Sequence, residues 1–118
     1  MHTPNDVRID TEQRQGITLA RTAGEIDALS APRLREFVGD QLAAARDFVL
    51  DLDEVTFLSS AGLQVLLDTD RAVLSRRLRW ALVGTTRAVA RPLEVTGLAP
   101  RLPLQPSVPA ALQLVARP

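Results

Sequence analysis

The sequence predicts an α/β fold: an open, mixed, mostly parallel sheet of about four to five strands carrying about four helices. Three observations lead there. Short strand-like runs alternate with segments whose apolar residues recur at helical spacing. The run Phe48-Val-Leu-Asp-Leu52 is nearly all apolar, as a central strand covered on both faces should be. A junction of small residues, Ser59-Ser-Ala-Gly62, then leads straight into the apolar positions of the next helix.

Residues 1–6 are polar, contain Pro4, and are expected to form a disordered tail. Val7 to Thr11 alternates apolar and polar, Gln15-Gly16 offers a turn, and Ile17 to Ala23 alternates again. A hairpin is the simplest reading. Gly24-Glu25-Ile26-Asp27 follows. Ser30 is a candidate N-cap and Pro32 suits a first helical turn, where its missing N–H costs nothing. Leu34, Phe37, Val38, Leu42 and Ala45 then keep helical spacing and should form a buried stripe.

After the central run, Asp53 to Leu58 carries the chain to the two serines. A helix is expected from about Ala61 to Arg76, with Leu63, Leu66, Leu67 and Leu74 on its inner side and Asp70 interrupting them. Leu78 to Val83 is another strand. Thr85-Thr86 can cap a third helix bearing Val89 and Leu93, shortened or kinked by Pro92 and stopped at Gly97, a candidate left-handed residue. Leu102-Pro-Leu104 suits an edge strand, the position that tolerates proline. Ser107 can cap a last helix with Ala110, Leu112, Leu114 and Val115 apolar. No linker divides the chain, so residues 1–118 are expected to form one domain.

Composition excludes several functions. The 118 residues carry 14 basic and 14 acidic side chains, so no global charge pulls the chain toward nucleic acid or anionic lipid. Every basic residue is Arg, which removes chemistry that requires Lys, such as a P-loop or a Schiff base. The run Arg76-Arg77-Leu78-Arg79 reads as a solvated helix end. Cysteine is absent, so there is no disulfide or thiolate metal site. The amino terminus lacks an apolar signal core, and no run approaches a membrane span, so the expectation is a cytoplasmic protein without membrane contact. His2 is the only histidine and lies in the polar tail, so serine hydrolysis lacks a positioned base. Asp51, Asp53 and Glu54 cluster at a strand end, where a magnesium-dependent hydrolase could be imagined. A solvated turn is the simpler reading, so no catalytic residue, metal or cofactor is assigned.

Ser59 and Ser60 stand out because a hydroxyl at a helix start can cap the helix, and the same place favours an anion. Ser60 could therefore be an unmodified N-cap or a carrier of phosphate.

A family resemblance sharpens that choice. Val49-Leu-Asp-Leu-Asp-Glu-Val-Thr-Phe-Leu-Ser-Ser-Ala-Gly-Leu63 resembles the phosphorylation segment of STAS domains, and within them of the bacterial anti-sigma factor antagonists. Gly24-Glu25-Ile26-Asp27 is similar to the family's Gly-Glu-Leu-Asp, and Val95-Thr96-Gly97-Leu98 to a later Gly-Leu landmark. The resemblance covers nearly the whole chain and implies the small STAS-type α/β domain. It sets the phosphorylated serine on Ser60, with Ser59 the second choice, and the family glycine on Gly62. Ser59 stands where the family has Asp, and Ala61 where it has a second hydroxyl residue. Asp27, Ser59, Ser60, Ala61, Gly62 and Gln64 are the expected partner-binding residues. Asp27 could equally cap its own loop, and Gly62 could admit a partner or simply pack. The implied function is partner switching. The unmodified antagonist binds an anti-sigma factor serine kinase and releases the sigma factor that the kinase holds. Phosphorylation at Ser60 reverses this, and a phosphatase restores the active form. Transcription is thereby regulated, for example in a stress response, without direct contact with nucleic acid. The protein is expected to be a monomer or weak dimer and not an enzyme. The alternative is a non-phosphorylated STAS scaffold or ligand-sensing module.

Overall fold

The computed structural model describes residues 7–118; the expected tail at 1–6, with His2, lies outside the described residues. The hairpin pattern gives β1 (Val7–Arg14) and β2 (Ile17–Ile26), paired antiparallel across a turn in which Gln15 and Gly16 both have positive φ. Then follow α1 (Ala31–Ala43), β3 (Phe48–Leu58), α2 (Ser60–Ser75), β4 (Trp80–Val83), α3 (Arg87–Val95), a single 3-10 turn (Ala99–Arg101), β5 (Leu104–Gln105) and α4 (Val108–Val115). The strands lie in the order β1-β2-β3-β4-β5, and every pair after the hairpin is parallel. The expected mixed, mostly parallel sheet is the one observed, with β5 on its outer edge.

The nearly apolar run in β3 is explained by two cores. Phe48, Leu50 and Leu52 face α1, α2 and α3, in a cluster with Leu34, Val38, Leu63, Leu66, Val89 and Leu93. Val49 points the other way and packs with Ile17, Leu19, Ala81 and Val83 beneath Ala111 and Val115 of α4. Strand side chains alternate faces, so a strand covered on both sides needs apolar residues at consecutive positions.

Several element-level expectations are corrected. β3 runs on to Leu58 instead of ending at Leu52, and α2 begins at Ser60 rather than Ala61. In α2 the buried stripe is Gly62, Leu63, Val65, Leu66, Thr69 and Val73, so Leu74 falls one position past it and is 70% exposed. Thr69 fits the core because its hydroxyl donates to the Val65 carbonyl at 2.7 Å. Asp70, expected to interrupt the stripe, accepts a hydrogen bond from the Trp80 indole at 2.9 Å. Ala45 lies beyond the end of α1, exposed and at φ 54°. In α4 the buried residues are Ala111 and Val115, and Leu114 faces outward.

The capping expectations divide. Ser107 caps α4, accepting from Ala110 N–H at 3.2 Å, and Gly97 closes α3 at φ 75°. Ser30 does not cap α1 with its side chain; its hydroxyl donates to the Glu25 carbonyl and accepts from Asp27 N–H. Thr86 precedes α3 without a side-chain cap bond, while Thr85 is held by Asp53 through both its N–H and its hydroxyl. No helix among the described residues is long and apolar enough to cross a membrane.

Candidate functional site

In a parallel sheet, loops at the carboxyl ends of neighbouring strands meet at one edge. Ile26, the last residue of β2, is in register with Leu58, the last of β3. Ser59 N–H donates to the Ile26 carbonyl at 2.9 Å, so the β2–α1 loop and the start of α2 are tied together. Asp27 follows Ile26 directly, and Ser60 follows Ser59.

Ser59 is the N-cap of α2. Its backbone is extended, and its hydroxyl accepts from Gly62 N–H at 3.5 Å, a long bond. Ser60 is the first helical residue and is exposed. The cap is therefore Ser59, and the Ser60 side chain faces solvent at the positive end of a sixteen-residue helix.

Asp27 organises its own loop, as the simpler reading of it anticipated. One carboxylate oxygen accepts from Leu29 N–H and Ser30 N–H, each at 3.0 Å, and lies 3.1 Å from the Ser30 hydroxyl, whose one proton it shares with the closer Glu25 carbonyl. The bond from Ser30 N–H leads in holding this carboxyl below the usual range. Asp27 thus brings a fixed negative charge to the edge that carries Ser60.

Gly62 is buried. A Cβ there would come within 2.6 Å of Leu58 and 2.7 Å of Ile26, so it is the chain's own side chains that approach it closely. Ala61 is half-buried and packs against the same core. Gln64, one turn beyond Ser60, is exposed and donates to Asp68, which also accepts from Arg35 of α1. Two apolar side chains at this edge escaped the sequence reading: Leu29 is 82% exposed and Phe57 is 51% exposed. Phe57 was masked because β2 and β3 shift register between Gly24 and Glu25, which breaks the alternation used to assign faces.

The acidic cluster is occupied by local bonds. Asp53 accepts from Thr85, and Asp51 accepts from Asp53 N–H. Partial burial pushes the Asp51 carboxyl up, with the charges of Asp53 and Glu54 adding to the effect. Among the described residues, no three His, Cys, Asp or Glu side chains gather to hold a metal.

A family model described as the STAS domain matches residues 8–111. The chain belongs to the STAS domain family. A solved structure of an anti-sigma factor antagonist from Mycobacterium paratuberculosis is 31% identical to it, covers 98% of each chain, and superposes with a TM-score of 0.87. The anti-sigma-F factor antagonist RsfB of Mycobacterium tuberculosis is 28% identical over 99 residues, 83% of this chain and 80% of that one. The anti-sigma-B factor antagonist of Listeria monocytogenes is 34% identical over 77 residues, 64% of this chain and 68% of that one. STAS proteins of this kind are regulators and not enzymes.

Proposed function

We propose that this STAS protein is an anti-sigma factor antagonist that binds an anti-sigma factor serine kinase in its unmodified form and is switched off by phosphate on Ser60. The observation that carries the proposal is the solvent-facing Ser60 side chain at the start of α2, on the edge shared with Asp27. The three relatives described above are anti-sigma factor antagonists by name, and they give the reading its direction. The exposed Leu29 and Phe57 supply apolar surface for a partner, and Asp27, Ser59 and Gln64 supply polar contacts around it.

The switch follows from electrostatics. Phosphate adds about −1.5 to −2 charges at pH 7. The first-turn amides and dipole of α2 stabilise that charge within the fold, so phosphorylation need not unfold the site. In a complex it would be buried against the partner beside the Asp27 carboxylate, where desolvation and like charge oppose it. A phosphatase would reverse the change. The cycle would run in the cytoplasm, and its product, released sigma factor, acts on transcription without this chain touching DNA. Ser59 is the second candidate acceptor, since its hydroxyl is the cap of α2 and faces less solvent.

Incubation with the cognate kinase and ATP should place one phosphate on Ser60 by mass spectrometry. Ser60→Ala should bind the kinase constitutively, and Ser60→Asp should bind at least tenfold more weakly. An active kinase that leaves both serines unmodified rejects the reading. The departure at Ser59, where the STAS pattern that this segment resembles has Asp, favours one alternative: a STAS scaffold that is never phosphorylated. A purified complex in cells that contains no kinase would support it.

A further inference from the structure

The two edges of the sheet are built differently. β5 has two residues, closed in between Pro103 and Pro106, and proline cannot donate to a further strand. β1 has eight residues, no proline or glycine, and an unbroken register with β2 from Val7↔Gly24 to Arg14↔Ile17. It lacks the proline, the bulge and the shortness that commonly blunt an edge. Among the described residues nothing pairs with its other side. Charge is the remaining safeguard, and its pattern here selects an occupant.

Turn geometry decides which backbone groups of β1 are free. Gln15 and Gly16 both have positive φ, which makes the turn the I′ type, closed by a bond between Arg14 and Ile17. Hydrogen-bonded and non-bonded pairs alternate along an antiparallel ladder. Arg8, Asp10, Glu12 and Arg14 therefore spend their N–H and C=O groups on β2. Val7, Ile9, Thr11 and Gln13 aim theirs at the open side.

The four charged side chains share one face of the strand. Glu12 is held by Arg14 and Arg21, whereas Arg8 and Asp10, both exposed, make no ion pair among the described residues. Consider a second β1 running antiparallel alongside. Centring the pair on Arg8, Asp10 or Glu12 sets that charge against itself. Centring on Thr11 sets Arg8 against Arg14 and Asp10 against Glu12. Centring on Gln13 runs into the turn after one residue on either side. Centring on Ile9 sets Arg8 against Asp10 twice and joins no like charges between Val7 and Thr11. The same register matches outward backbone groups, Ile9 with Ile9 and Val7 with Thr11. On the other face, half-buried Ile9 lines a cleft of about 210 Å³ with Thr11 and Phe37, and the pairing sets the two isoleucines side by side.

We propose that β1 pairs with β1 of a second copy of this chain, antiparallel and centred on Ile9, joining two five-stranded sheets into one. Strand addition at an open edge is a general mode of recognition. Reciprocal contacts close it as a two-fold pair, and the blunted β5 stops growth beyond that pair. Ser60 follows β3, and β2 stands between β3 and the paired strand, so both Ser60 sites lie outside the contact. The pairing does not depend on the phosphorylation reading.

Sedimentation of the full chain should show a monomer–dimer equilibrium and no larger species. Amide exchange at Ile9 and Thr11 should slow as concentration rises, while exchange at Asp10, already bonded to β2, stays the same. Thr11→Pro removes an outward N–H without touching a bond to β2, and should abolish pairing. Arg8→Asp should weaken it about tenfold, because each change at a two-fold contact acts twice. Adding Asp10→Arg should restore it. The chain has no cysteine, so Ile9→Cys gives one thiol per copy. In this register the two Cα atoms lie about 5.5 Å apart, within disulfide reach, and should cross-link, whereas Thr11→Cys should not. Spectra of each variant report that it is folded. A chain monomeric at every concentration overturns the proposal. So does a dimer whose protection maps to Leu29 and Phe57 or to Leu74 and Leu114, growth beyond a dimer, or cross-linking at Thr11→Cys and not at Ile9→Cys.

Discussion

Gly62 is held by packing. Its missing side chain leaves the space that Leu58 and Ile26 fill, and the start of α2 sits close to the sheet for that reason. Gly62→Ala forces both neighbours to move and should cost about 1–3 kcal/mol of stability, read from urea denaturation with an unchanged m-value. Asp51 makes a different prediction. Its carboxyl is pushed up by partial burial, so folding favours its protonated form. A carboxyl raised in the folded state contributes stability below its unfolded value of 3.8 and loses that contribution as pH rises through its folded value. Asp51→Asn keeps the acceptor for Asp53 N–H and removes the charge. It should raise the Tm at pH 7, and the gain over the parent should shrink toward zero as pH falls toward 4. Asp27 behaves oppositely: its carboxyl is held low by Ser30 N–H, so its contribution is present at neutral pH and is lost in acid.

Two helices begin with serine caps of unequal quality. Ser107 accepts from Ala110 N–H at 3.2 Å and anchors α4, the helix that covers the second face of the sheet. Ser59 accepts from Gly62 N–H at 3.5 Å. Ser107→Ala should therefore cost about 0.5–2 kcal/mol, and Ser59→Ala visibly less, by thermal denaturation of the two variants side by side. The weaker bond at Ser59 leaves the amides at the start of α2 less fully engaged, which suits a site that is to accept a phosphate.

Across the molecule, β3 joins everything else. It pairs with β2 and β4, packs against α1, α2 and α3 through Phe48, Leu50 and Leu52, and meets the α4 layer through Val49. Leu50 is fully buried, so Leu50→Ala should cost about 2–5 kcal/mol, with loss of both layers in one cooperative transition by circular dichroism and Trp80 fluorescence.

The order of elements was legible in the sequence because it depends on periodicity and on local punctuation. The apolar run in β3 marked a central strand, Gln15-Gly16 marked the hairpin, and Ser107 and Gly97 marked helix ends, all through contacts within a few residues. The serine pair was legible too, since it sits at a strand-to-helix junction that a short motif defines. Register and facing were not. Leu74 kept helical spacing yet lies outside the buried stripe, because the orientation of α2 is set by Gly62 closing on Ile26 and Leu58. Phe57 is exposed because two register shifts between β2 and β3 decide which way it points. That Ser59 and not Ser60 caps α2 follows from the Ser59 N–H reaching Ile26 on another strand. Local chemistry fixed which elements form. Contacts between residues far apart in the chain decided which side chains they bury and which they offer to a partner.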